Sequence, residues 1–146
     1  MKRSVRLLIL IVLVAAVTGG AAGARGVGTS QLDGSWTWTW TRAELLHGGV
    51  SSTRGADKLA GRHLAIFANG HVTDRNRTTG HVGTGTRFFV HGNVVGFVFR
   101  MRGPDIVPGR TYELKWSIYH DRLKFAELPG RSVLTALLIK PWTRVR

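Results

Sequence analysis

Trp36, Trp38 and Trp40 alternate with Ser35, Thr37, Thr39 and Thr41. A period of two sends successive side chains to opposite faces of a strand, so one face carries three indoles and the other four hydroxyls. A helix would scatter the indoles around its circumference. Leu32 to Thr41 is therefore predicted as a β-strand, and the rest of the chain must supply a core for its aromatic face.

The pattern then changes. Thr41-Arg42-Ala43-Glu44 is a capping box, in which Thr41 accepts from the Glu44 amide while Glu44 reaches back to the Thr41 amide. Leu45 and Leu46 continue a short helix that Gly48-Gly49 stops. Val50 to Gly61 has no periodicity and is expected to be a flexible loop.

Three hairpins follow. Leu64 to Phe67 turns at Asn69-Gly70 into Val72-Thr73; Asn-Gly suits a turn whose two central residues need positive φ. Arg87 to Val90 turns at Gly92-Asn93 into Val94 to Met101, a register that pairs Val90 with Val95 and Phe88 with Phe97. Tyr112 to Tyr119 turns at His120-Asp121 into Arg122 to Glu127, so that Ile118 faces Leu123 and Trp116 faces Phe125. Pro104 to Gly109 reads as a loop, Ser132 to Leu138 as a short helix, and Ile139 to Arg146 as a last strand.

About eight short antiparallel strands at this spacing, with one or two short helices, imply a sandwich or a barrel. Closing the sheet lets the first and last strands pair with each other. The expectation is an all-β chain: one small antiparallel up-and-down barrel over residues 32–146, preceded by a Gly-rich lead-in at 25–31.

The first 24 residues carry a different pattern. Lys2, Arg3 and Arg6 precede an unbroken apolar run from Leu7 to Val17, and Ala22-Gly23-Ala24 is a small-x-small cleavage site. The run is short against the roughly 20 residues that span a bilayer. A cleaved secretory signal is expected at 1–24, with an uncleaved N-terminal anchor as the alternative. The absence of cysteine removes disulfides and thiolate chemistry together.

The net charge is +13. The cations are spread along the chain with no run longer than two. This balance fits an anionic envelope surface as a partner, but no specific nucleic-acid site is expected.

The ordered residues resemble a known family. Gly34-Ser35-Trp36 is the Gly-x-Trp pattern of lipocalins. Together with Thr41-Arg42-Ala43-Glu44-Leu45-Leu46, Asn69-Gly70, Trp116 to Leu123 and Lys140-Pro141-Trp142-Thr143-Arg144, it resembles exported bacterial lipocalin-like (calycin) domains. The resemblance implies an up-and-down barrel that binds a small apolar molecule. It also implies that a late Arg packs across the first-strand Trp at the closed end, here Arg144 over Trp36, with Arg146 as a substitute. The chain departs from the pattern in being short and lacking disulfides.

Candidate chemistry is sparse. His47, His63, His71, His81, His91 and His120 show no His-x3-His spacing and read as surface histidines, His71, His91 and His120 at turns; His63, at a strand start, is the exception to watch. There is no Gly-x-Ser-x-Gly elbow, and Ser117 lies opposite Trp116. Gly83-Thr84-Gly85 lacks the helix and Lys of a phosphate loop. Glu127 shares a face with Leu114 and Phe125, placing it at a barrel mouth or in need of an Arg. No metal, cofactor or catalytic residue is expected, and the chain is expected to be monomeric. Trp38, Trp40, Phe88, Phe97, Phe99, Trp116 and Phe125 either line a ligand cavity or fill the barrel. The two cases give two functions: a non-catalytic binder of a small apolar or amphipathic molecule, or a filled basic barrel at the cell envelope.

Overall fold

The computed structural model describes residues 30–131 and 134–146. The expected signal at 1–24 and all but the last two residues of the 25–31 lead-in lie outside the described residues. The described chain is an all-β closed barrel in which each strand pairs antiparallel with the next and the last returns to the first. The strands are β1 (Gly34–Trp40), β2 (Gly61–Ala68), β3 (His71–Asn76), β4 (Val82–His91), β5 (Val94–Val98), β6 (Thr111–Tyr119), β7 (Arg122–Glu127) and β8 (Trp142–Val145). Three short helices accompany them: α1 (Arg42–His47), α2 (Thr53–Leu59) and α3 (Thr135–Leu138).

The expected registers are present. Val90 pairs with Val95 and Phe88 with Phe97. Trp116 pairs with Phe125 and Ile118 with Leu123. The first turn places Asn69 at φ 52° and Gly70 at φ 74°, the left-handed pair that the Asn-Gly dipeptide supplies at little cost.

Strand alternation sorts the connections to two ends. The turns at Asn69-Gly70, Gly92-Asn93 and His120-Asp121 lie with Trp36 at one end. At the other end lie α1, α2, the 77–81 turn, the 99–110 loop and the connection from β7 through α3. Inward positions alternate as a barrel requires: Trp36, Trp38 and Trp40 on β1, His63, Ala65 and Phe67 on β2, Leu123 and Phe125 on β7 are all buried. The capping box of α1 has both of its hydrogen bonds.

Two readings of the sequence need correction. Val50 to Gly61 is not a loop throughout, because α2 occupies Thr53–Leu59 with the Ser52 side chain accepting from the Gly55 amide. Its buried residues are only Gly55 and Ala56, so no apolar periodicity betrays it. The last strand is also shorter than expected. Ile139 continues the helical backbone beyond α3, and β8 begins only after Pro141.

Asn76 opens a formal glycosylation sequon with Thr78. It is buried, its Nδ2 donates to the Ala60 carbonyl at 2.9 Å, and its Oδ1 accepts from the Thr78 and Thr79 amides. The folded barrel uses this side chain as an internal cap for the β3–β4 turn.

Candidate functional site

Arg144 of β8 and Trp36 of β1 meet at the end of the barrel that carries the three hairpin turns. The guanidinium of Arg144 sits 4.4 Å from the centre of the Trp36 ring. It donates to the Gln31 carbonyl at 2.7 Å and the Asp33 carbonyl at 3.2 Å, while Trp36 Nε1 donates to the Leu32 carbonyl at 2.8 Å. These bonds tie the entering chain across the barrel floor.

The other end holds a cavity of about 130 Å³. Trp38 and Trp40 of β1, Ala65 and Phe67 of β2, and Val72 and Asp74 of β3 form one side of its wall. Thr86, Phe97, Phe99 and Trp142 continue the wall around the barrel. Val50 and Leu59 come from the α1–α2 segment, Pro104 to Ile106 from the 99–110 loop, and Leu134 to Leu137 from α3 and its approach.

Aromatic stacking sets the wall. Trp38 lies on Trp142 with ring centres 3.7 Å apart and planes 8° apart, and it lies nearly parallel to His63 at 4.9 Å. Trp40 meets Trp38 edge-on at 5.3 Å.

His63, read from the sequence as a strand-start histidine to watch, is buried and acts as a strut. Its Nε2 donates to the Leu59 carbonyl at 2.8 Å, and its Nδ1 faces the Asp74 carboxylate at 3.1 Å. One ring thus fastens the end of α2 to β3. Both of its partners contribute to the cavity wall.

The 99–110 loop is equally constrained. Tyr112 accepts from the Val107 amide at 2.8 Å and donates to the Asp105 carbonyl at 3.3 Å, and the Asp105 carboxylate accepts from Ser51. These bonds hold Asp105 and Ile106 at the cavity.

Four indole nitrogens, those of Trp38, Trp40, Trp116 and Trp142, are buried without an acceptor among the described residues. Each orphaned donor costs about 1–3 kcal/mol. Native interiors leave few such groups, and three of these four rings surround one cavity.

The sequence left the seven aromatics either lining a cavity or filling the barrel, and the structure divides them between the two roles. Trp38, Trp40, Phe97 and Phe99 line the cavity. Phe88, Trp116 and Phe125 do not. Phe88 packs edge-on to Phe67 near the Asn69-Gly70 turn. Trp116 lies toward the closed end, its amide donating to the Asn93 carbonyl. Phe125 stands behind Phe97 and Trp142, at 6.0 and 5.1 Å. A shared face fixes inward direction but not height along the barrel, and height decides which rings meet the cavity.

Trp142, Asp74 and the residues of α3 and its approach were missed. Trp142 had a legible signal, since it lies two positions before Arg144 and so on the same face of β8. Glu127 is exposed at the open end, and Ser117 points outward. Among the described residues no group of three or more His, Cys, Asp or Glu is placed to hold a metal ion.

No protein-family model, curated protein or solved structure matches the chain. The functional reading therefore rests on the cavity itself.

Proposed function

We propose that this chain is an exported, non-catalytic binding module of lipocalin type that holds one small apolar or amphipathic molecule at the open end of its barrel. The observation that carries the reading is the aromatic cavity of about 130 Å³. That is several times the roughly 30 Å³ share of a water molecule and close to the roughly 150 Å³ of an engineered dry cavity that takes benzene. A body of one ring or a short alkyl chain matches it. Burial of such a body stabilises the complex by about 25 cal/mol for each Å² of apolar surface covered. The segment from α1 through α2, the 99–110 loop and α3 form the cover over the site.

The test is quenching of tryptophan emission by ω-bromooctanol, whose bromine enters with the chain end. Saturable quenching is expected from Trp38, Trp40 and Trp142, with Trp36 at the closed end shielded. The same saturation curve from a Trp38→Phe/Trp40→Phe/Trp142→Phe variant would refute the reading.

The basic balance favours a second reading, attachment to anionic polymers or lipid at the envelope. Retention on an anionic matrix that collapses with added salt, without saturable quenching by the bromoalcohol, would support it instead.

A further inference from the structure

The apolar cavity does not border neutral surface. Beside it lies an open groove of about 860 Å³, walled by α2, the 77–81 turn and the start of the 99–110 loop. Leu59 and Pro104 line both spaces, so cavity and groove adjoin at these two residues.

The groove is basic. Arg54, Lys58 and Arg102 line it together with His81, against one acid, Asp57. Asp57 is already engaged by Arg42, whose Nε lies 2.7 Å from its carboxylate. The two carboxylates on the cavity wall are engaged as well, Asp74 by His63 and Asp105 by Ser51. Arg54, Lys58 and Arg102 form no ion pair among the described residues. Three like charges gathered at one edge of an apolar cavity repel one another and raise the local concentration of anions.

Resting on the binding reading above, we infer that the ligand is an anionic amphiphile. Its apolar body fills the aromatic cavity, and its carboxylate or phosphate head passes Leu59 and Pro104 into the field of Arg54, Lys58 and Arg102. The cavity limits the body to one ring or one short chain. The groove is open, so the head is less restricted in size. A two-chain membrane lipid does not fit this division of space. The occupant is therefore a free single-chain or single-ring acid.

The experiment uses three probes with one tail: ω-bromooctanoate, ω-bromooctanol and ω-bromooctylammonium, titrated into the full chain while tryptophan quenching is read. The acid is expected to bind at least about tenfold tighter than the alcohol, and the ammonium weakest. Added salt weakens the acid and leaves the alcohol unchanged. An Arg54→Ser/Lys58→Ser/Arg102→Ser variant lowers the affinity for the acid to that of the alcohol. These side chains are exposed, and circular dichroism checks that the variant keeps the fold.

Equal affinity for acid and alcohol overturns the inference and leaves the cavity reading standing. Absence of quenching by all three probes overturns both. A preference for the acid that survives the triple substitution overturns the groove as the head site. Sedimentation with anionic vesicles that the triple substitution abolishes, without a preference for the free acid, overturns the inference in favour of membrane attachment.

Discussion

The Arg144 guanidinium stacks 4.4 Å from the centre of Trp36 while donating to two backbone carbonyls, those of Gln31 and Asp33. One planar cation thus closes the barrel floor and ties β8 to the chain leading into β1. Its plane and fork cannot be reproduced by an ammonium. Arg144→Lys is expected to destabilise the fold by about 1–2 kcal/mol through the lost stacking and carbonyl bonds. Trp36→Ala, which empties a fully buried indole site, is expected to cost about 3–5 kcal/mol. Urea denaturation checks both. A cost below 1 kcal/mol for Trp36→Ala would contradict a structural role for this end.

Gly34 belongs to the same arrangement. Its φ is +125°, and an added Cβ would lie 3.1 Å from Arg144 Nη1. Gly34→Ala is expected to lose about 1–3 kcal/mol through the strained backbone alone. Displacement of the guanidinium adds to that loss. A Gly34→Ala/Arg144→Ala double variant should therefore cost less than the two single costs combined, a difference that a double-mutant cycle measures.

Much of this was legible beforehand. Alternating tryptophans, Asn-Gly and the agreeing hairpin registers constrain each other, and together they admit few alternatives to a closed sheet. The site was only half legible. Strand alternation places Trp38, Trp40, Phe97 and Phe99 inward, but it places Phe88, Trp116 and Phe125 inward as well. Distinguishing them needs the height of each ring along the barrel, which depends on shear between strands. The α2 residues were hidden for a different reason. A seven-residue helix that buries only Gly55 and Ala56 has no apolar stripe to detect. The basic groove depends on α2, the 77–81 turn and the 99–110 loop meeting in space, which no local pattern encodes.

The Glu44 carboxylate joins two covering elements. It accepts from Lys140, just beyond α3, and from the Thr41 amide in the capping box of α1, and these bonds hold its pKa below the ordinary 4.5. A carboxylate with a depressed pKa stabilises the fold above its unfolded-state value. That contribution is lost as the pH falls through the folded-state value. The group is exposed enough for solvent to screen it, so the contribution is under about 1 kcal/mol. Glu44→Gln should lower the urea midpoint at pH 7, and the gap from the parent should close as the pH falls below 4.5. A gap that persists unchanged at pH 3 would show that charge plays no part.

Asn76 answers four backbone groups at once: the Ala60 and Lys58 carbonyls and the Thr78 and Thr79 amides. Asn76→Ala leaves these groups without their partner beside the C-terminal end of α2. It is expected to cost about 2–3 kcal/mol, by analogy with other buried donors and acceptors left unsatisfied. Asn76→Asp keeps the acceptor and loses the donor, so it should fall between the parent and the Ala variant. Thermal unfolding of the three proteins tests the order.

Ala65 separates stability from binding. It is buried on β2, pairs in register with Trp36, and its methyl borders the cavity. Ala65→Leu extends a branched chain into the cavity. Each buried methylene contributes about 0.8 kcal/mol when it fits. Overpacking costs about 1–3 kcal/mol when it does not. The cavity has volume to receive the added carbons, so these effects nearly cancel, and stability should change by less than about 1 kcal/mol. Binding of ω-bromooctanol should weaken by tenfold or more, because the ligand and the new side chain compete for the same volume. An Ala65→Leu variant that folds as well as the parent and is quenched with unchanged affinity would show that the probe binds elsewhere.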